Sequence, residues 1–353
     1  MPVVRAAALL LGLLSATLAQ ATVQRTFVAS TGSDANTAFN CSLVKPCRGF
    51  AAAIGVTSAK GEVIVLDSAA YGVIPAITKS ISVTAPAGIY AGISVFSGDG
   101  ITINAGATDT VVLRGLTING QGGANGITIT NALVVHVENC VIANMSIGIN
   151  QAKGLLEAKD TIVRDNSNIG VYVVGPAVAN LDHVRLEANN TGLAAEFGGQ
   201  AAMQDSIVTG SQNIGVLTNN PTVVDSQVTI SRSLISSNHY GIYADGPELG
   251  YNARVAIYES TVSSNSVGVH VSSNGGLYDG QAYMKNSIVT LNGTGIDVVN
   301  GGFMEIDGNY ICRNTGPDLN VDATPSGVST LKNNCVEIVI APPGSIISPS
   351  SLF

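Results

Sequence analysis

Glycine returns at a near-constant interval through the middle of this chain. Gly126, Gly148, Gly170, Gly192, Gly215, Gly241, Gly268 and Gly295 are separated by 22, 22, 22, 23, 26, 27 and 27 residues. Each opens a short run in which inward and outward positions alternate, as in Val171-Tyr172-Val173, Ile242-Tyr243-Ala244, Val269-His270-Val271 and Ile296-Asp297-Val298. An earlier alternating run, a corner, a two-hydrophobe run and an asparagine complete every interval, so each turn should hold three strands. Runs this short with period-two alternation cannot bury a face alone. Stacking identical turns at ~4.8 Å pairs each strand with the ones above and below and encloses one continuous core.

The pattern predicts which side chains point inward. In the first strand of successive turns these are Val135/Val137, Leu156/Ala158, Ala179/Leu181, Ala201/Met203, Val228/Ile230, Val255/Ile257 and Ala282/Met284. The second strand supplies Ile142, Val163, Leu186, Val208, Ile235, Val262 and Val289. Asn144, Asn166, Asn189, Asn238, Asn265 and Asn292 recur at one corner, where stacked amides and a left-handed backbone are expected. The repeat glycines are expected to serve the same backbone need. Forty glycines, no Trp and 11% charged residues agree with stacked strands and tight turns. A leucine-rich repeat has a similar period but needs a Leu-dense consensus, which these Val, Ile and Ser turns lack.

Outside the array, residues 1–21 read as a secretory signal peptide, with Arg5, an apolar core and a small-residue site at Ala19-Gln20-Ala21. The apolar run is short for a membrane span, and no later segment is long enough to be one. Residues 22–100 should form an N-terminal cap and first turns, with a strand at 26–29, a short amphipathic helix over 49–57 and strands near 62–66 and 80–84. The β-helix repeats then occupy 101–335, and 336–353 is a C-terminal tail with one closing strand.

Without Arg5 the chain carries 15 basic and 24 acidic side chains, a net of −9. That balance, with no Lys/Arg cluster, argues against nucleic acid and anionic membrane surfaces. It also disfavours a polyanionic sugar unless a basic patch or bridging cation offsets the field. Five cysteines allow two disulfides in an exported chain: Cys41 with Cys47, and Cys312 with Cys335. Cys140 then remains, at a position held in other turns by Thr161, Ser206, Ser233, Ser260 and Ser287, and reads as a small inward filler. No Cys or His lies at zinc-ligand spacing from another, so neither a metal nor another cofactor is expected.

The repeats VENCVIANMSIGI, SRSLISSNHYGIYA, YESTVSSNSVGVHV and KNSIVTLNGTGIDV resemble those of right-handed parallel β-helix proteins of the pectin-lyase-like superfamily. The opening segment with its two cysteines is similar to the cap of exported bacterial members. The resemblance implies an all-β, three-strand solenoid with an N-terminal helical cap. It is poor for activity, because that superfamily includes lyases, hydrolases, epimerases, phage tailspikes and surface proteins. The local catalytic motifs of its polygalacturonases, pectate lyases and pectin methylesterases are missing from this chain, so no catalytic residue carries over.

A candidate site emerges instead from the stacking. The outward position after each glycine reads Thr128, Asn150, Tyr172, Ala194, Leu217, Tyr243, His270 and Asp297. Residues at equal offsets are direct neighbours in a sheet, so the last three should sit side by side. His270 held by Asp297 can act as a general base and Tyr243 as an acid or hydrogen-bond donor. Asp245, Tyr251, Tyr278 and Asp279 fall in the adjoining lengthened loops and are expected to bind substrate, because aromatic faces beside polar groups suit a sugar groove. A second column of Asn139, Asp160, His183, Asp205, Arg232, Glu259 and Asn286 reads as a stabilising charge ladder. The chain is therefore expected to be a secreted, cell-surface or periplasmic protein, exported by its signal peptide, that binds extracellular or cell-wall polysaccharide. As an enzyme it would be a polysaccharide lyase or glycoside hydrolase, and the alternative is a non-catalytic surface or adhesive structural protein.

Overall fold

The computed structural model describes residues 23–220, 224–246, 252–273, 279–322, 326–330, 334–341 and 346–349, and the expected signal peptide lies outside them. Three parallel sheets of fourteen, twelve and twelve strands wrap a single core. A representative turn runs through Ala253–Tyr258 in the fourteen-stranded sheet, Thr261–Ser263 in one twelve-stranded sheet and Val267–Ser273 in the other. Each strand pairs with its equivalent one turn on, as Val255 does with Ala282, Val262 with Val289 and His270 with Asp297. The predicted inward residues of the first and second strands are all buried. A convex helical segment is absent from the described turns, which excludes the leucine-rich alternative.

The start of the stack is covered by the helix Phe50–Val56, which buries Phe50, Ala53 and Ile54. The two residues leading into it are held from outside: the main-chain N–H groups of Arg48 and Gly49 both donate to Asp34 Oδ1 at 2.9 Å. Strand pairing reaches back past residue 101, since Ile81–Thr84 joins Thr110–Arg114 in register. It also extends into the tail, where Val339–Ile340 and Ile346–Pro349 each add a strand. Among the described residues no helix is long and apolar enough to cross a membrane.

Two corner expectations need correction. The left-handed backbone falls one residue before the buried asparagine, at Asp165, Ala188, Ser237, Ser264 and Leu291, and only Asn144 adopts it itself. The buried asparagines instead use their side chains. Asn238 Nδ2 donates to Asn265 Oδ1, Asn265 to Asn292 and Asn292 to Asn314, each at 3.0 Å, which satisfies amides no water can reach. None of the eight repeat glycines has a positive φ. Their need is space: a Cβ on Gly170, Gly192, Gly215, Gly241 or Gly268 would lie 2.5 Å from the carbonyl oxygen of the next turn's glycine.

Cys41 and Cys47 form a disulfide. Cys140 is buried as expected, and burial pushes its thiol up to about 11. The predicted Cys312–Cys335 bond is not formed; the two residues are thiols with their sulfurs 2.9 Å apart. The Cys312 sulfur donates toward the carbonyl oxygen of Cys335 at 3.4 Å. Oxidation, in which the pair gives up two hydrogens to a disulfide donor such as oxidised glutathione, should therefore close this bond and stabilise the last turns by about 3 kcal/mol. Mass spectrometry of the oxidised protein should find both thiols blocked to alkylation before unfolding. Ready alkylation of Cys335 in that sample would refute the pairing.

Candidate functional site

The site is built on three consecutive strands of one twelve-stranded sheet: Tyr240–Gly246, Val267–Ser273 and Thr294–Val299. Inward Ile242, Val269 and Ile296 anchor them in the core, and period-two alternation turns Tyr243, His270 and Asp297 outward. In-register pairing makes these three direct neighbours. The predicted column therefore exists, and it continues one step further, to Asn320 in the next strand.

Contacts along the column are specific. His270 Nδ1 lies 2.8 Å from Asp297 Oδ2. Asn320 Nδ2 donates to the other carboxylate oxygen at 2.7 Å. The Tyr243 ring stacks on the imidazole with centroids 4.5 Å apart and planes at 28°, and Tyr240 approaches both rings edge-on, at 5.1 and 5.4 Å. The side chains of His270 and Asp297 are only 10% and 18% exposed.

Electrostatics separate the two carboxyls. Burial acts most strongly on Asp297 and would raise it, but the hydrogen bonds from His270 and Asn320, with the His270 charge, together hold it below the usual carboxylate range. Asp297 is therefore ionised and accepts, His270 donates through Nδ1–H, and Nε2 is left as the ring nitrogen able to take or deliver a proton. Asp245 behaves oppositely. Burial pushes it above its ordinary value, against the Ser272 hydroxyl, which donates to it at 2.7 Å, and the influence of His270. Burial, reinforced by the Asp245 charge, also raises Tyr243, which keeps its phenol a hydrogen-bond donor. Two carboxyls whose surroundings push them apart are the pattern that acid and base roles require.

The Asp245 shift has a measurable sign. A carboxyl raised on folding stabilises the protein fully below the unfolded value and loses that contribution as pH rises through the higher folded value. Asp245→Asn should therefore melt at a higher temperature than wild type near neutral pH, with the gap closing in acid. A variant that is the less stable protein at neutral pH would contradict the burial account.

The remaining predicted residues divide. Asp279 is buried beside the strand that carries Asp245: a Cβ on Gly246 would lie 2.6 Å from its Cβ. Its main-chain carbonyl accepts from Ala253 N at 2.9 Å. Tyr251 and Tyr278 lie outside the described residues, as do the tips of both lengthened loops. Tyr240, one of six tyrosines the sequence clusters in this window, packs against the site rings. Two contributors were missing from the sequence reading. Ser272 was legible as the in-register neighbour of Asp245. Asn320 required carrying the column one interval further.

Elsewhere, among the described residues, the second column forms one ion pair within itself, Arg232 with Asp205. Every member of the column from Asn139 to Asn286 adopts the left-handed backbone. Arg232 clamps Asp205 with two hydrogen bonds of 2.9 and 2.8 Å. Asp182, His183 and Asp205 bring ligand atoms within 4.8 Å of one another, but Lys159 and Arg232 already face those carboxylates. The outer face of the fourteen-stranded sheet carries three depressions. One of ~220 Å³ is lined by Arg254, Gln281, Tyr283, Phe303 and Glu305, one of ~420 Å³ by Glu157, Asn180, Asp182 and Thr229, and one of ~570 Å³ by Lys60, Glu62, Ser82, Thr110 and Val112.

No curated protein matches the chain by sequence. A family model described as a right-handed β-helix region matches residues 99–279, a little over half of the chain. Among solved structures, a mannuronan C-5 epimerase A-module from Azotobacter vinelandii is similar at 14% identity and a TM-score of 0.64, over 82% of this chain and 91% of that one. A pectate lyase aligns at 13% identity and a TM-score of 0.55, over 92% of this chain and 82% of that one. The catalytic domain of a GH87 α-1,3-glucanase in complex with tetrasaccharides aligns at 11% identity and a TM-score of 0.55, over 93% and 68%. Identities this low speak to the fold alone.

Proposed function

Because this chain belongs to the right-handed β-helix family, we propose that it is an exported protein that binds extracellular or cell-wall polysaccharide on the outer face carrying Tyr243, His270 and Asp297. The carrying observation is the continuous column Tyr243–His270–Asp297–Asn320, in which rings and hydrogen-bonding groups stand side by side on adjacent rigid strands. Sugars are recognised by such pairings of aromatic face with polar edge. Structures sharing the fold include enzymes named for pectate, mannuronan and α-1,3-glucan, which supports a polysaccharide role at the level of the fold. The apolar N-terminal segment and the Cys41–Cys47 disulfide support export.

Within this reading His270 is the general base, oriented by Asp297, and Asp245 or Tyr243 the proton donor. The low exposure of His270 favours the second reading, a non-catalytic surface or adhesive protein, because an imidazole covered by Tyr243 meets a reacting bond poorly. A glycan array tests binding, and a screen for reducing ends and unsaturated products tests turnover. Glycan binding without product establishes the non-catalytic form, and no glycan binding at all would reject the proposal.

A further inference from the structure

Resting on that reading, we infer that the glycan recognised here lacks carboxylate and sulfate groups. Among the described residues, no strand of the twelve-stranded sheet bearing the site contains Lys or Arg. The same sheet presents Glu196, Asp245 and Asp297. Among the described residues, His270 is the one Lys, Arg or His within the strands of this sheet, and it is committed to Asp297; His239 lies just before the first site strand, its ring edge-on to Tyr240 at 4.7 Å.

The adjoining fourteen-stranded sheet does carry cations, but among its described Lys and Arg all except Lys60 form ion pairs with acids. Arg254 meets Asp225, Lys285 meets Asp307 and Lys159 meets Asp182, at 3.1, 3.0 and 3.2 Å. A polyanion approaching either face would lie against carboxylates, or would have to displace partners already in place. An uncharged glycan meets neither penalty, since its hydroxyls donate to carboxylates and its C–H faces pack on tyrosine rings without a charge to desolvate. One chemical consequence follows. Sugars of this class that also lack a carboxyl ester have no carbonyl to acidify a neighbouring C–H bond, so His270 cannot drive elimination or epimerisation on them.

Binding should be measured by affinity electrophoresis or thermophoresis at low ionic strength, against laminarin and xylan as uncharged probes and polygalacturonate and alginate as polyuronates, with and without added calcium. The expected result is at least about tenfold tighter binding to one uncharged glycan than to either polyuronate. Equal or tighter polyuronate binding, or binding that appears with calcium, would overturn the inference while leaving polysaccharide recognition in place. Binding to none of the four would remove the polysaccharide reading on which the inference stands.

Discussion

Gly241→Ala should cost the fold about 3 kcal/mol or more, although it adds one methyl group to a residue with ordinary backbone angles. The new Cβ would lie 2.5 Å from the carbonyl oxygen of Gly268 and 2.9 Å from the amide nitrogen of Asn265. Neither neighbour can retreat. The oxygen belongs to the next turn, whose spacing is fixed by hydrogen bonds along three sheets. The amide donates to Ile235 O at 3.2 Å and to Asn292 Oδ1 at 3.0 Å, so moving it would orphan buried groups. Gly55 supplies the control. It lies in the capping helix with nothing within 4 Å of an added Cβ, and Gly55→Ala should stabilise by about 0.5 kcal/mol. Denaturant unfolding of both variants separates close approach from a general glycine effect, and equal responses would refute the packing explanation.

The largest functional effect is expected at His270. His270→Ala should weaken glycan binding at least about tenfold, because it removes the ring on which Tyr243 stacks and leaves Asp297 with one of its two donors. Arg232→Ala is the matched comparison. It breaks a bidentate pair on an exposed corner, and should lower the melting temperature slightly while leaving binding intact. Loss of binding in the Arg232 variant, with His270→Ala unaffected, would move the site to the charge ladder.

The fold was legible because its periodicity is redundant. Eight glycines and the alternating runs between them fix the register, and the register alone puts Tyr243, His270 and Asp297 in one column. Local backbone was not legible. Ala188 and Leu291 occupy left-handed corners for which their side chains give no hint, because turn stacking, not residue preference, sets the angle there. The glycines were assigned the wrong cause for the same reason: a contact between turns leaves no trace in the residue's own chemistry. Asn320 escaped because the interval after Asp297 shortens to 23 residues, which hides its place in the column. The closeness of His270 to its neighbours, and hence its low exposure, depends on side-chain rotamers that spacing cannot supply.

Tyrosine emission offers the most direct test of the central claim. The chain has no Trp, and six of its ten tyrosines, Tyr240, Tyr243, Tyr251, Tyr258, Tyr278 and Tyr283, fall between positions 240 and 283 of the sequence. Titration with an uncharged oligosaccharide should give a saturable change in tyrosine fluorescence that disappears in folded His270→Ala protein. A change that survives that substitution, or its absence with every glycan tried, would contradict a polysaccharide site on this face.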